Sequence, residues 1–198
     1  MTVSLTEVKK LKEMTGLGLT DAKKALEDAK GDFEKALKVL REKGLTKAEK
    51  RGEREAREGV IDSYVHSGRI GVLVEVNCET DFVAKNDIFK DLAHEIALQV
   101  ASMSPKYISR EDVPGEVLKE KEAEFEKAAA ATGKPKAAIQ KIVEGQLNKY
   151  FGELVLLEQT FWKDEKKKVI DVVNEAKVKL GENIKVSQMS RIELGVSE

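Results

Sequence analysis

The apolar period of this chain switches between helical and alternating along its length, and that switching constrains its fold more than any other feature. Residues 1–44 place apolar side chains at helical spacing. Residues 60–66 and 70–76 are β-branched and partly alternating, with Ser67-Gly68 between them, which predicts a β-hairpin. From Ile88 to Ala101 the helical period returns as one wide stripe of Ile88, Phe89, Leu92, Ala93, Ile96, Ala97, Val100 and Ala101. Asn86 is placed to cap this helix and Pro105 to close it. A chain patterned in this way needs both helices and strands.

The first 44 residues read as three short helices. Ser4 and Glu7 have the spacing of a capping box ahead of Leu5, Val8 and Leu11, and Gly16 and Gly18 interrupt that helix. Thr20 is expected to cap a second helix carrying Ala22, Ala25, Leu26 and Ala29, ended by Gly31. Asp32 is expected to cap a third, carrying Phe33, Ala36, Leu37 and Leu40 and ended by Gly44. Residues 45–58 are mostly charged and read as a solvated linker; a basic partner-contacting patch at Lys47, Lys50 and Arg51 is the other reading.

Residues 115–151 read as a helical hairpin broken at Gly133-Lys134-Pro135. Its apolar seam (Val117, Leu118, Phe125 and Ala128, then Ile139, Ile142, Val143, Leu147, Tyr150 and Phe151) is thin and flanked by Glu and Lys. That describes an antiparallel coiled coil projecting into solvent. Leu154 to Leu157 form a short apolar run, read as a buried strand or extended segment. A further helix carries Val169, Ile170, Val172, Val173, Ala176 and Leu180 and stops at Gly181. Residues 184–186 and 189–194 read as a final strand with a bulge between its halves.

Several classes of function are disfavoured at once. Lys+Arg is 35 and Asp+Glu 36, a net charge of −1, which argues against strong general nucleic-acid binding. The single cysteine excludes an intrachain disulfide and any multi-Cys zinc site. No run approaches the ~18 apolar residues of a membrane span, and MTVSLTEVKK lacks a signal core, so a cytoplasmic protein is expected. His66 and His94 lack metal-ligand spacing, and Cys78 has no basic neighbour to activate its thiol. Neither Gly16-Leu17-Gly18 nor Gly133-Lys134-Pro135 makes a phosphate loop. We therefore expect no catalytic residue, no metal, no cofactor and no enzyme activity.

What stands out is Glu79-Thr80-Asp81-Phe82-Val83-Ala84-Lys85-Asn86, between the most apolar strand and the strongest helix. Thr80 can cap a short turn that begins with Asp81. Two readings of Phe82 are open. It packs inward beneath the helix, or it projects as an apolar wedge for a pocket on another protein.

Thr80-Asp81-Phe82-Val83-Ala84-Lys85-Asn86 closely resembles the signature of the elongation factor Ts family, nucleotide-exchange proteins for the GTPase elongation factor Tu. Val74-Glu75-Val76-Asn77-Cys78-Glu79, the run from Val8 through Gly16-Leu17-Gly18-Leu19 to Leu26, Gly31-Asp32, and Ile142-Val143-Glu144-Gly145 resemble that family in order. The resemblance implies an α+β fold: a three-helix ubiquitin-associated-like module (1–44), a charged linker (45–58) and a core (59–198) of antiparallel strands covered by helices, including the protruding hairpin (115–151). It implies exchange through Thr80, Asp81, Phe82 and Val83, with Asp81 and Phe82 inserted near the partner's Mg²⁺ and nucleotide. It implies docking through Lys12, Gly16, Leu17, Gly18, Leu19 and Lys23. Elongation factor Tu is the implied partner, with no nucleotide bound by the chain itself. Longer family members carry two related α/β modules, and this chain has room for one, so a homodimer is expected. Two other functions compete: a ubiquitin-associated-type adapter, and a ribosome- or RNA-binding protein using residues 45–57.

Overall fold

In the computed structural model, which describes residues 3–131 and 133–196, three helices open the chain: α1 (Leu5–Thr15), α2 (Leu19–Asp28) and α3 (Phe33–Arg51). Residues 1–2, 132 and 197–198, at the limits of the expected module and core and in the expected hairpin loop, lie outside the described residues. Val8, Leu11, Leu17, Ala22, Ala25, Leu26, Ala36, Leu37 and Leu40 form one buried cluster. It holds the small side chains that short helices need in order to approach closely.

The helix boundaries correct the sequence reading in three places. Ser4 occupies the N-cap of α1, but its side chain makes no capping bond, so the box with Glu7 is not formed. The second helix starts at Leu19 with Gly18 at the N-cap, so Thr20 lies inside it. Gly44 does not stop α3. It is buried inside that helix, where a Cβ would lie 3.4 Å from the Val178 side chain. Here glycine serves close approach. Asp32 caps as expected, accepting the Lys35 N–H at 3.1 Å.

The hairpin follows as β1 (Glu58–His66) and β2 (Ile70–Cys78). Ser67 and Gly68 both take positive φ, 51° and 66°, as a two-residue I′-type turn requires. A short helix α4 (Asp81–Ala84) leads into α5 (Asp87–Met103), whose start is capped by Asn86 Oδ1 accepting the Ile88 N–H at 2.9 Å. After a 3-10 turn (Arg110–Asp112) come α6 (Gly115–Ala130) and α7 (Lys136–Leu154). The two pack as a pair, with Phe125 edge-on to Tyr150 at 6.3 Å. Tyr107 bridges to Val155, and Leu156–Glu158 is a second 3-10 turn, so the apolar run at 154–157 is not a strand.

A small antiparallel pair, β3 (Thr160–Phe161) and β4 (Asp164–Lys168), was not visible in the sequence. Helix α8 (Val169–Leu180) and β5 (Lys185–Glu193) end the chain. The last strand runs unbroken from Lys185 to Glu193. It joins an antiparallel sheet of order β1-β2-β5, so the fold is α+β. No described helix is long and apolar enough to cross a membrane.

The chain divides into two compact units. One contains the chain up to Asp62, Val74–Glu95 and Asp171–Ser187; it holds the three N-terminal helices, α4 and most of α8. The other contains Ser63–Leu73, Ile96–Ile170 and the chain from Gln188, including α6 and α7. The second is organised around two fully buried amides. Gln99 donates to Gln159 Oε1 at 3.0 Å and accepts the Trp162 N–H at 2.8 Å. Gln159 donates to the Glu153 and Met103 carbonyls at 2.7 and 3.2 Å. Each buried amide is thus bonded through both its N and its O, the condition under which burying it costs little.

Candidate functional site

Strand β2 ends in the buried Cys78, and the chain must turn there to enter α5. Thr80 makes the turn. Extended at φ −131°, it accepts the Val83 N–H on its hydroxyl at 3.3 Å and so caps α4. Within α4, Val83 and Ala84 are buried and anchor one side. The other side carries Asp81 and Phe82 outward. Phe82 is 78% exposed, which excludes packing beneath the helix. An exposed ring on an ordered turn, beside a carboxylate, is suited to insertion into another surface.

Asp81 is also exposed. The Lys85 ammonium donates to its Oδ2 at 2.7 Å and holds its carboxyl below the usual carboxylate range, while the Lys85 ammonium is raised in return. The Cys78 thiol is pushed up to about 11, first by burial and then by the Glu182 carboxylate. It donates to the Thr80 carbonyl at 3.2 Å and stays a neutral packing group.

The α1–α2 turn lies in the same unit. Gly16 takes φ +67° and its N–H bonds to the Lys12 carbonyl at 2.8 Å, ending α1. Leu17 is 5% exposed and belongs to the helical core, so its side chain is not a contact surface. Leu19 and Met14 are the exposed apolar residues beside the turn, each 44% exposed. Nothing in the period of α1 singled out Met14. Lys12 and Lys23 are exposed, and Lys23 lies 3.8 Å from Glu27.

The basic-patch reading of residues 45–58 loses two of its three members. Lys47 pairs with Asp21 at 2.9 Å, and Arg51 donates to the Lys177 carbonyl at 2.9 Å. His94 bonds Asp62 at 2.9 Å and His66 bonds Tyr64 at 2.9 Å. Among the described residues no group of His, Cys, Asp and Glu is arranged to hold a metal ion. Sequence reasoning missed Glu182. Its Oε2 accepts the Glu79 and Thr80 N–H groups, both at 3.0 Å, and its Oε1 accepts the Thr80 hydroxyl at 2.7 Å. The separation of about a hundred residues gave no local signal.

The turn thus presents an exposed Asp-Phe pair on a buried, capped base, the feature of this site most suited to contact with another macromolecule. Residues 2–196 match the profile of the family described as Elongation factor TS. Elongation factor Ts of Thermotoga petrophila is 55% identical over 98% of both chains, and that of Thermotoga maritima 54% over the same share. Elongation factor Ts of Thermodesulfovibrio yellowstonii is 49% identical over 100% of this chain and 99% of its own. The chain belongs to the elongation factor Ts family and is a translation elongation factor.

Proposed function

We propose that the chain is a guanine-nucleotide exchange factor for elongation factor Tu, and that Asp81 and Phe82 drive release of GDP. The observation that carries this reading is the 78% exposure of Phe82 on a turn whose other face is buried and capped. A ring held in this way enters a partner without a large ordering cost. In the partner, Mg²⁺ bridges the nucleotide phosphates to the protein, so displacing the segments around it weakens GDP binding. Thr80 and Val83 hold the wedge in place. Lys12, Gly16, Gly18, Leu19 and Lys23 form a second contact on the nucleotide-binding domain, with Leu17 supporting the turn from within. The chain itself makes and breaks no covalent bond and binds no nucleotide. It acts in the cytoplasm, where elongation proceeds, and has no strong affinity for nucleic acid.

We further infer a homodimer. Val65, Leu73, Ile192 and Leu194 are 53–72% exposed on or beside the strands of the sheet. Apolar side chains exposed on one sheet offer a surface that a partner can cover, and a second copy would supply the module that longer relatives carry within one chain. Light scattering should give about 44 kDa, twice 22.0 kDa; a 22.0 kDa species at micromolar concentration would contradict it.

The test of exchange is linkage. Calorimetric titration of the factor into elongation factor Tu, with and without GDP, should show GDP weakening the factor's binding. The factor must weaken GDP binding by the same ratio. Unchanged affinity in the two titrations would remove the proposal.

A further inference from the structure

Resting on the exchange reading, we propose that Glu182 is the positioning residue of the Asp81-Phe82 wedge, and that the end of α8 is the platform on which both partner contacts are set. Helix α4 is only four residues long, and an isolated turn of that length does not hold itself. Its order must come from outside. Glu182 supplies it from the turn after α8, gathering the Glu79 and Thr80 N–H groups and the Thr80 hydroxyl. The hydroxyl proton is thereby committed to Glu182, which leaves a Thr80 lone pair for the Val83 N–H. One carboxylate thus fixes both the backbone entering the wedge and the cap that starts it.

The clamp is reciprocal. Glu79 Oε1 accepts the Asn183 N–H at 2.6 Å and lies 3.5 Å from Arg54 Nη1. Asn183 Nδ2 donates to the Gly52 and Arg54 carbonyls at 3.3 and 2.6 Å. Three chain segments, at 52–54, 79–80 and 182–183, therefore close on one another. The N-terminal helices lean on the same α8. Arg51 bonds the Lys177 carbonyl, and Gly16 lies so close to Lys179 that a Cβ there would come within 2.9 Å of the Lys179 side chain. The spacing between the α1–α2 turn and the wedge is set through this one helix end.

Side-chain length and polarity make the claim specific. Glu182→Gln keeps the reach. Its carbonyl oxygen can accept both backbone N–H groups, and its amide can donate to the Thr80 oxygen. Glu182→Asp is one methylene short, and Glu182→Ala removes the clamp. A loop that spends a tenth of its time in the competent form raises the apparent dissociation constant about tenfold and leaves the docked state unchanged.

The experiment reads GDP release from elongation factor Tu against factor concentration, together with amide hydrogen exchange at residues 79–83. For Glu182→Ala and Glu182→Asp we expect the half-maximal concentration to rise about tenfold, the maximal rate to stay within about twofold, and the Glu79 and Thr80 amides to lose protection. Glu182→Gln should restore all three. Thr80→Val cuts the hydroxyl's bonds to both Glu182 and the Val83 N–H but leaves the Glu79 and Thr80 N–H groups on Glu182, so the Val83 amide should lose protection while the Glu79 and Thr80 amides keep theirs, which serves if Glu182→Ala folds poorly. Unchanged protection in Glu182→Ala, or a Gln variant no better than Ala, overturns the proposal. So does a fall in maximal rate at unchanged half-maximal concentration. The amide readout decides the clamp even if the wild-type chain fails to speed GDP release, an outcome that would overturn the exchange reading alone.

Discussion

Two glycines of one turn should respond in opposite ways to the same added methyl group. Gly16 holds φ +67°, where a side chain costs ~1–2 kcal/mol. Its added Cβ would also lie 2.9 Å from Lys179 Cγ, 3.0 Å from Lys179 Cα and 3.2 Å from Lys179 N. The flexible Cγ can move aside, but the backbone of α8 cannot do so cheaply, and overpacking of this kind costs ~1–3 kcal/mol. Gly16→Ala should therefore destabilise the chain by about 3 kcal/mol, or roughly 6–12 °C at this chain length. Gly18 is extended at φ −63° with nothing within 4 Å of an added Cβ. Alanine there loses roughly 0.5–1 kcal/mol at the N-cap and regains a similar amount by restricting the unfolded chain, so the net change should stay within about 0.5 kcal/mol. Denaturant unfolding followed by far-UV circular dichroism measures both. Equal effects of the two substitutions, or a Gly16→Ala change under about 0.5 kcal/mol, would mean that α8 does not seat this turn.

Phe82→Ala should cost under about 1 kcal/mol of stability, because little of the ring is buried, whereas Phe89→Ala, at 0% exposure, should cost about 3–5 kcal/mol; thermal melts compare them. Gln99→Leu strands the Trp162 N–H and Gln159 Oε1 in a buried site and should cost about 2–5 kcal/mol, read through the fluorescence of the single tryptophan. Asp21 is held below the usual carboxylate range by hydrogen bonds from Lys43 and Lys47, so its contribution is present above the unfolded carboxylate pKa and is lost as pH falls through the depressed folded value. Asp21→Asn should thus cost up to about 1 kcal/mol at pH 7, and urea titrations should show the difference closing in acid and in high salt.

The periodic parts of this fold were legible in the sequence because period reports which face is buried. The stripe from Ile88 to Ala101 gave α5, and alternation around Ser67-Gly68 gave the hairpin. Boundaries set by tertiary contact were not legible. Gly44 has the chemistry of a stop, yet it continues α3 because Val178 approaches there. The pair β3–β4 escaped because Asp164–Lys168 is almost wholly charged and has no apolar alternation to read. The site divided in the same way. Thr80 as a cap was a local inference and is confirmed by its bond to the Val83 N–H. Phe82 had two readings that only its 78% exposure separates. Leu17 sits in the expected contact turn, yet its side chain belongs to the buried helical cluster. Glu182 was out of reach because its partners lie about a hundred residues earlier in the chain.

A chain that opens the nucleotide site of elongation factor Tu, as we propose, is detected by the rate at which a fluorescent GDP analogue leaves elongation factor Tu in excess unlabelled GDP. Release should accelerate strongly as wild-type chain is added, and Phe82→Ala, folded by its melting curve, should lose most of that acceleration. Release at the unassisted rate, with a folded chain and a cognate partner at saturating concentration, would contradict the account.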